Sequence, residues 1–110
     1  MSSKKQRWAE RVPFAAEVRF SAGGEDLQGR ISNLSRNGIF VEHSSAPPVG
    51  SRVRVTFEVD GHEIRAEGAV ADHRTERGFG VRLELSEDSR AVVAKFVARL
   101  VVAQILTSSE

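Results

Sequence analysis

Between Phe14 and Leu85, apolar and polar residues alternate with period two. The clearest stretch is RVRVTFEVDGHEIRAEGAV. Val53, Val55, Phe57 and Val59 alternate there with Arg52, Arg54, Thr56 and Glu58. Successive side chains of a strand point to opposite faces, so this pattern predicts a strand with one wet face. Asp60-Gly61 follows, a dipeptide that tolerates positive φ and closes a tight hairpin. Ile64, Ala66, Gly68 and Val70 continue the apolar set on the return strand, and Phe79, Val81, Leu83 and Leu85 repeat it in GFGVRLEL. Upstream, FAAEVRF and LQGRISNLS flank SAGGED, which reads as a turn. GIFVEH is a short strand that ends before SSAPPVG. The prolines there cannot donate to a ladder, so that stretch reads as a loop. The pattern predicts about six short antiparallel strands. Such a set closes into a small barrel or sandwich, because open edges invite aggregation.

The period changes after Leu85. Ser86 is placed to cap a helix, and Glu87 and Asp88 fall in its first turn, where the helix dipole favours anions. Val92, Val93, Phe96, Val97, Leu100, Val101 and Ala103 then recur at helical spacing, with Ile105 and Leu106 extending the stripe. Arg90, Lys95 and Arg99 lie largely on the other face. Burying such a stripe is what stabilises a surface helix. The helix is therefore expected to pack on the barrel or cover one mouth.

A chain of 110 residues suits one domain with its own core. There is no cysteine, so disulfide frameworks and thiol catalysis are excluded. Net charge is +1. Nucleic-acid-coating proteins carry a larger basic excess, so no DNA or RNA partner is expected and any electropositive site must be local. Lys4, Lys5, Arg7 and Arg11 concentrate basic charge at the start. No apolar run approaches the roughly 18 residues that span a bilayer, and MSSKKQRW lacks the apolar core of a signal peptide. The expectation is a soluble cytoplasmic protein without membrane insertion.

His43, His62 and His73 stand far apart without metal-ligand spacing and read as surface histidines. Ser35 has no histidine partner in sequence. Neither a P-loop nor a GxGxxG opening a helix is present. No enzyme, metal or cofactor is predicted.

Two local groups remain. RWAERVPF places Arg7 and Arg11 four residues apart around Trp8. Their Cβ atoms would be about 6 Å apart in a helix, or their Cα atoms about 13 Å apart in an extended chain. Pro13 disfavours helix at Val12, so the segment must turn into the first strand. Guanidinium is planar and forked. It grips phosphate oxygens, pairs with the Hoogsteen edge of guanine and stacks on purines. By itself this is either a frayed tail or an anion clamp. In NLSRNG, Asn33 and Ser35 share a parity and would present polar side chains together, with Gly38 permitting a turn. By itself this is an ordinary hairpin turn.

Together the two groups resemble the PilZ domain family, small bacterial six-stranded barrels that bind the second messenger cyclic di-GMP. That family's signature is RxxxR in the N-terminal segment followed by (D/N)xSxxG on the barrel. Here the first part reads Arg7-x-x-x-Arg11 with Val12-Pro13 after it, and the second Asn33-x-Ser35-x-x-Gly38. GFGVRLEL, SEDSR and the apolar helix look like the family's last strand and C-terminal helix. The resemblance covers roughly residues 7–100.

It implies a mainly β fold, a six-stranded antiparallel β-barrel with a C-terminal α-helix. Residues 1–12 would form a flexible ligand-binding segment and residues 13–106 the barrel and helix. Arg7 and Arg11 would contact the phosphates and guanines of cyclic di-GMP. Asn33 and Ser35 would hydrogen-bond a guanine or hold the binding backbone, and Gly38 would keep the turn open. Trp8 and Arg36 are accessory candidates; Trp8 either stacks on a guanine or packs on the barrel. Arg74 and Arg77 could add to the basic rim. Gln6 stands where many members carry a basic residue. The implied function is a cyclic di-GMP receptor that changes conformation to signal to an effector protein. The alternative is a ligand-independent PilZ-like adaptor in motility or pilus machinery.

Overall fold

A computed structural model describes residues 11–44, 46–74 and 77–108. The strands are β1 (Val12–Ala22), β2 (Glu25–Leu34), β3 (Gly38–Glu42), β4 (Arg52–Val59), β5 (His62–Arg74) and β6 (Gly78–Glu84). They close into an antiparallel barrel in the order β1-β2-β3-β6-β5-β4. One helix, α1 (Glu87–Ser108), follows. The expected mainly β barrel with a C-terminal helix is the observed architecture.

The alternating apolar residues fill the barrel. Val53, Val55, Phe57 and Val59 of β4 are buried, as are Ile64, Ala66 and Val70 of β5 and Phe79, Val81 and Leu83 of β6. Their partners Arg52, Arg54 and Glu58 are exposed. Each large apolar side chain withdrawn from water contributes about 1.5–3 kcal/mol before entropy is counted. Phe20 and Phe79 meet edge to face inside, with ring centroids 5.4 Å apart.

The turns are tighter than SAGGED suggested. Strand pairing runs to Ala22↔Glu25, leaving only Gly23 and Gly24, at φ 60° and 86°. Asp60 and Gly61 close the β4–β5 hairpin at φ 53° and 82°. Three irregularities interrupt the ladders, between Pro13 and Ala16 in β1, Ile31 and Asn33 in β2, and Val70 and Asp72 in β5. A bulge bends its strand and changes which residues face out.

The helix starts as its cap predicts, with the Ser86 Oγ accepting the Ser89 backbone N–H at 3.1 Å. Val93 and Val97 are buried against the barrel. Phe96 meets Phe14 of β1 edge to face at 5.4 Å. Arg99 donates to Asp60 in the β4–β5 turn at 2.7 Å. The helix thus bridges the ends of β1 and β4. The stripe does not continue as expected: Ile105 and Leu106 are 60% and 69% exposed. At a rise of about 1.5 Å per residue, α1 extends well beyond Val93 and Val97, its residues buried in the core. No helix among the described residues is long and apolar enough to cross a membrane.

Candidate ligand site

An open cavity of about 490 Å³ lies on the outer face of the barrel, lined by Arg11, Ser32, Asn33, Phe40, Glu42 and Arg77. Four chain segments meet in it. Arg11 is exposed and directly precedes β1. Val12 pairs with Leu34 and Pro13 with Asn33, so this register carries Arg11 to the end of β2. The break in the β2–β3 register between Ile31 and Asn33 inserts an extra residue, so both Ser32 and Asn33 reach the cavity. Phe40 and Glu42 come from the outer face of β3, alternating with buried Ile39 and Val41. Glu42 pairs with Gly78, which sets Arg77 beside it.

Phe40 is half-buried. Its cross-strand neighbours are Asn33 on β2 and Gly80 on β6, so no bulky side chain flanks it on the β6 side. The cavity combines two guanidiniums, one carboxylate, a hydroxyl, an amide and an aromatic ring. That set offers charge-assisted donors for an anion, a ring for stacking, and amide and carboxylate groups that pair with a base edge.

The two halves of NLSRNG divide their work. Asn33 lines the cavity, but Ser35 does not stand beside it as shared parity suggested. Ser35 is only 8% exposed. Its hydroxyl donates to the Gly38 carbonyl and accepts the Asn37 N–H, each at 3.3 Å, while its own backbone N–H donates to Gly38 at 2.9 Å. The alternation ends with β2 at Leu34, and a serine past a strand end readily bonds the local backbone. Gly38 differs from its expected role as well. It is not among the glycines with positive φ. A Cβ there would lie 2.5 Å from the Val81 carbonyl oxygen on β6. Close strand approach, not turn conformation, requires glycine. Arg36 is exposed at the tip of this turn and does not line the cavity. Arg7 and Trp8 lie outside the described residues.

A family model described as the PilZ domain matches residues 5–99. The chain belongs to the PilZ domain family. Solved structures agree with that fold. The PilZ domain of CeSA from a cellulose-synthesizing bacterium is 20% identical with a TM-score of 0.65, and the match covers 84% of this chain and 98% of that one. The PilZ domain of Escherichia coli YcgR, solved with c-di-GMP, is 11% identical with a TM-score of 0.70, covering 96% and 99%. The Bacillus subtilis inhibitor of motility MotI/DgrA is 18% identical with a TM-score of 0.69; the match covers 86% of this chain and 51% of that longer protein. No curated protein matches the chain.

Within this PilZ barrel, Ser32, Phe40 and Glu42 line the cavity although neither motif singles them out, and Arg77, expected on a rim, lines it too. The outward parity of GIFVEH was the available signal for Phe40 and Glu42. Nothing local marked Ser32, because a bulge depends on the partner strand.

Proposed function

We propose that this chain is a cyclic di-GMP receptor, binding the dinucleotide between the Arg7–Arg11 segment and the outer face of β2 and β3. One observation carries this reading. Arg11 and Asn33, from the two separate motifs, line the same cavity. Arg7 and Arg11 grip the phosphates and guanine edges, and Asn33 hydrogen-bonds a guanine. Ser35 and Gly38 act by holding the turn behind that face. Trp8 and Arg36 are accessory. The segment that precedes β1 closes over the ligand, and the barrel, which begins at Val12, and its helix receive it. Two phosphates suit the forked guanidiniums, and charge-assisted bonds are roughly twice as strong as neutral ones. The protein acts by binding in the cytoplasm, and ordering of the segment changes the surface read by an effector protein.

Isothermal titration with cyclic di-GMP tests this. Binding is expected, and Arg11→Ala is expected to weaken it by more than about tenfold, the loss of one hydrogen bond to a charged group. Absence of heat and of thermal stabilisation, or affinity unchanged by Arg11→Ala, overturns the reading and leaves a ligand-independent adaptor.

A further inference from the structure

The barrel is not equally closed all round. β1 and β4 pair only along Arg19–Ser21 and Arg54–Thr56. Along Phe14–Val18 and Phe57–Val59 no register joins the two strands. The same stretch of β1 is irregular on its other side. Its irregularity between Pro13 and Ala16 bends the strand, and Phe14 turns to Phe96 of the helix. On the other lip, Arg99 of the same helix holds Asp60. The helix fixes both lips of the seam. A cavity of about 830 Å³ occupies it, with Phe14, Ala15, Ala16 and Glu17 in its lining on one side and Phe57 and Glu58 on the other.

An incompletely paired strand edge presents backbone donors and acceptors that another chain can take up. Proteins use such edges to bind extended peptides by strand addition. The charge of this seam says which peptide. Its lining carries four carboxylates, Glu17, Glu58, Asp60 and Glu63, and one guanidinium, Arg19. Asp60 is paired with Arg99 and Glu63 with Arg65. Glu17 and Glu58, on opposite lips, are exposed and form no ion pair among the described residues. Ala15, Ala16 and Gly61 keep part of the lining free of bulk.

We propose that the β1–β4 seam is a docking groove for an extended, basic segment of a partner protein, which adds as a strand to the free edge of β1. A seated strand presents alternate side chains outward. Lysine or arginine at those positions lies between Glu17 and Glu58, and small apolar residues face inward. This inference does not depend on cyclic di-GMP binding.

The probe is a fluorescent peptide of alternating valine and lysine, about seven residues long. Its anisotropy is followed against the full chain up to about 1 mM protein. Saturable binding is expected. An alternating valine–glutamate peptide should bind at least about tenfold more weakly, and the Glu17→Lys/Glu58→Lys double variant should lose the lysine peptide to the same extent. Two peptides N-methylated on opposite edges test strand addition without altering the protein. One edge should abolish binding and the other should not. No saturable binding of the lysine peptide, equal binding of both charge types, or indifference to methylation on either edge overturns the proposal. So does self-association of the native chain that the double variant abolishes, which would make a second copy the occupant.

Discussion

Gly38→Ala separates two roles for the glycine that ends the second motif. A Cβ at this position would sit 2.5 Å from the Val81 carbonyl oxygen. Close carbon–oxygen contacts between strands run at about 3.3–3.6 Å. The β3 strand would therefore have to retreat from β6 by roughly 0.8 Å. That retreat strains the Gly38↔Arg82 and Ile39↔Val81 pairs. Overpacking of this kind costs about 1–3 kcal/mol, and alanine recovers only about 0.4–1 kcal/mol through its less flexible unfolded chain. A net loss near 1–2 kcal/mol lowers the melting temperature of a domain this size by about 5–15 °C. Thermal melts followed by circular dichroism, without any ligand, read this directly. Gly29→Ala is the comparison, because its nearest contacts are looser at 3.1 Å. A Gly38→Ala protein that melts within about 2 °C of the native chain, yet loses cyclic di-GMP, would refute the steric reasoning and make the glycine a ligand contact.

Three further outcomes are expected. Ser35→Ala removes the hydroxyl that ties the Gly38 carbonyl to the Asn37 N–H; it should cost about 1 kcal/mol in urea unfolding with an unchanged slope. Phe14→Ala and Phe96→Ala, combined in a double-mutant cycle, should show a coupling of about 0.5–1.5 kcal/mol, because the rings meet edge to face at 5.4 Å. The Arg99 hydrogen bond, and then its charge, hold the Asp60 carboxyl below its ordinary value. A depressed folded-state value means that the stabilisation is present above the unfolded value of about 3.9 and lost as pH falls through the folded value. The stability difference between the native chain and Asp60→Asn should therefore be flat above about pH 5 and shrink in acid, as acid titrations of chemical unfolding would show.

The strands were legible because alternation needs only local information. Val53 to Val59 and Phe79 to Leu85 read as one-sided strands, and their buried faces are the expected ones. Asp60-Gly61 marked its hairpin, and Ser86 its helix start. The rest depended on partners distant in sequence. The order that puts β3 beside β6 and β4 beside β1 leaves no trace in local periodicity. The register break near Ser32 changes what reaches the cavity, and it exists only because β3 lies alongside. The inward turn of Ser35 follows from where β2 ends, and boundaries are the least certain product of pattern reading. Arg11 and Asn33 were legible as a pair only through the family resemblance, since neither motif alone outweighs an ordinary tail or turn.

The charges on this barrel are hard to explain by stability. Arg52 forks onto Glu84 at 2.8 and 3.0 Å and touches Glu67 at 3.2 Å, but all three side chains are more than half exposed. Exposed pairs contribute about 0–1 kcal/mol each, while the interior carries the fold. Among the described residues Glu17 and Glu58 form no ion pair at all, and Arg11 and Arg77 line the other cavity with Glu42 as the one counter-charge among its described residues. Charge is thus unevenly sorted: the seam lining holds four carboxylates to one guanidinium, Arg19, and the cavity where β1 begins holds two guanidiniums to one carboxylate. A nearly neutral chain gains nothing in solubility from such sorting. Recognition is the gain that such sorting offers: the two surfaces proposed above differ in sign along one strand, and each would exclude what the other attracts.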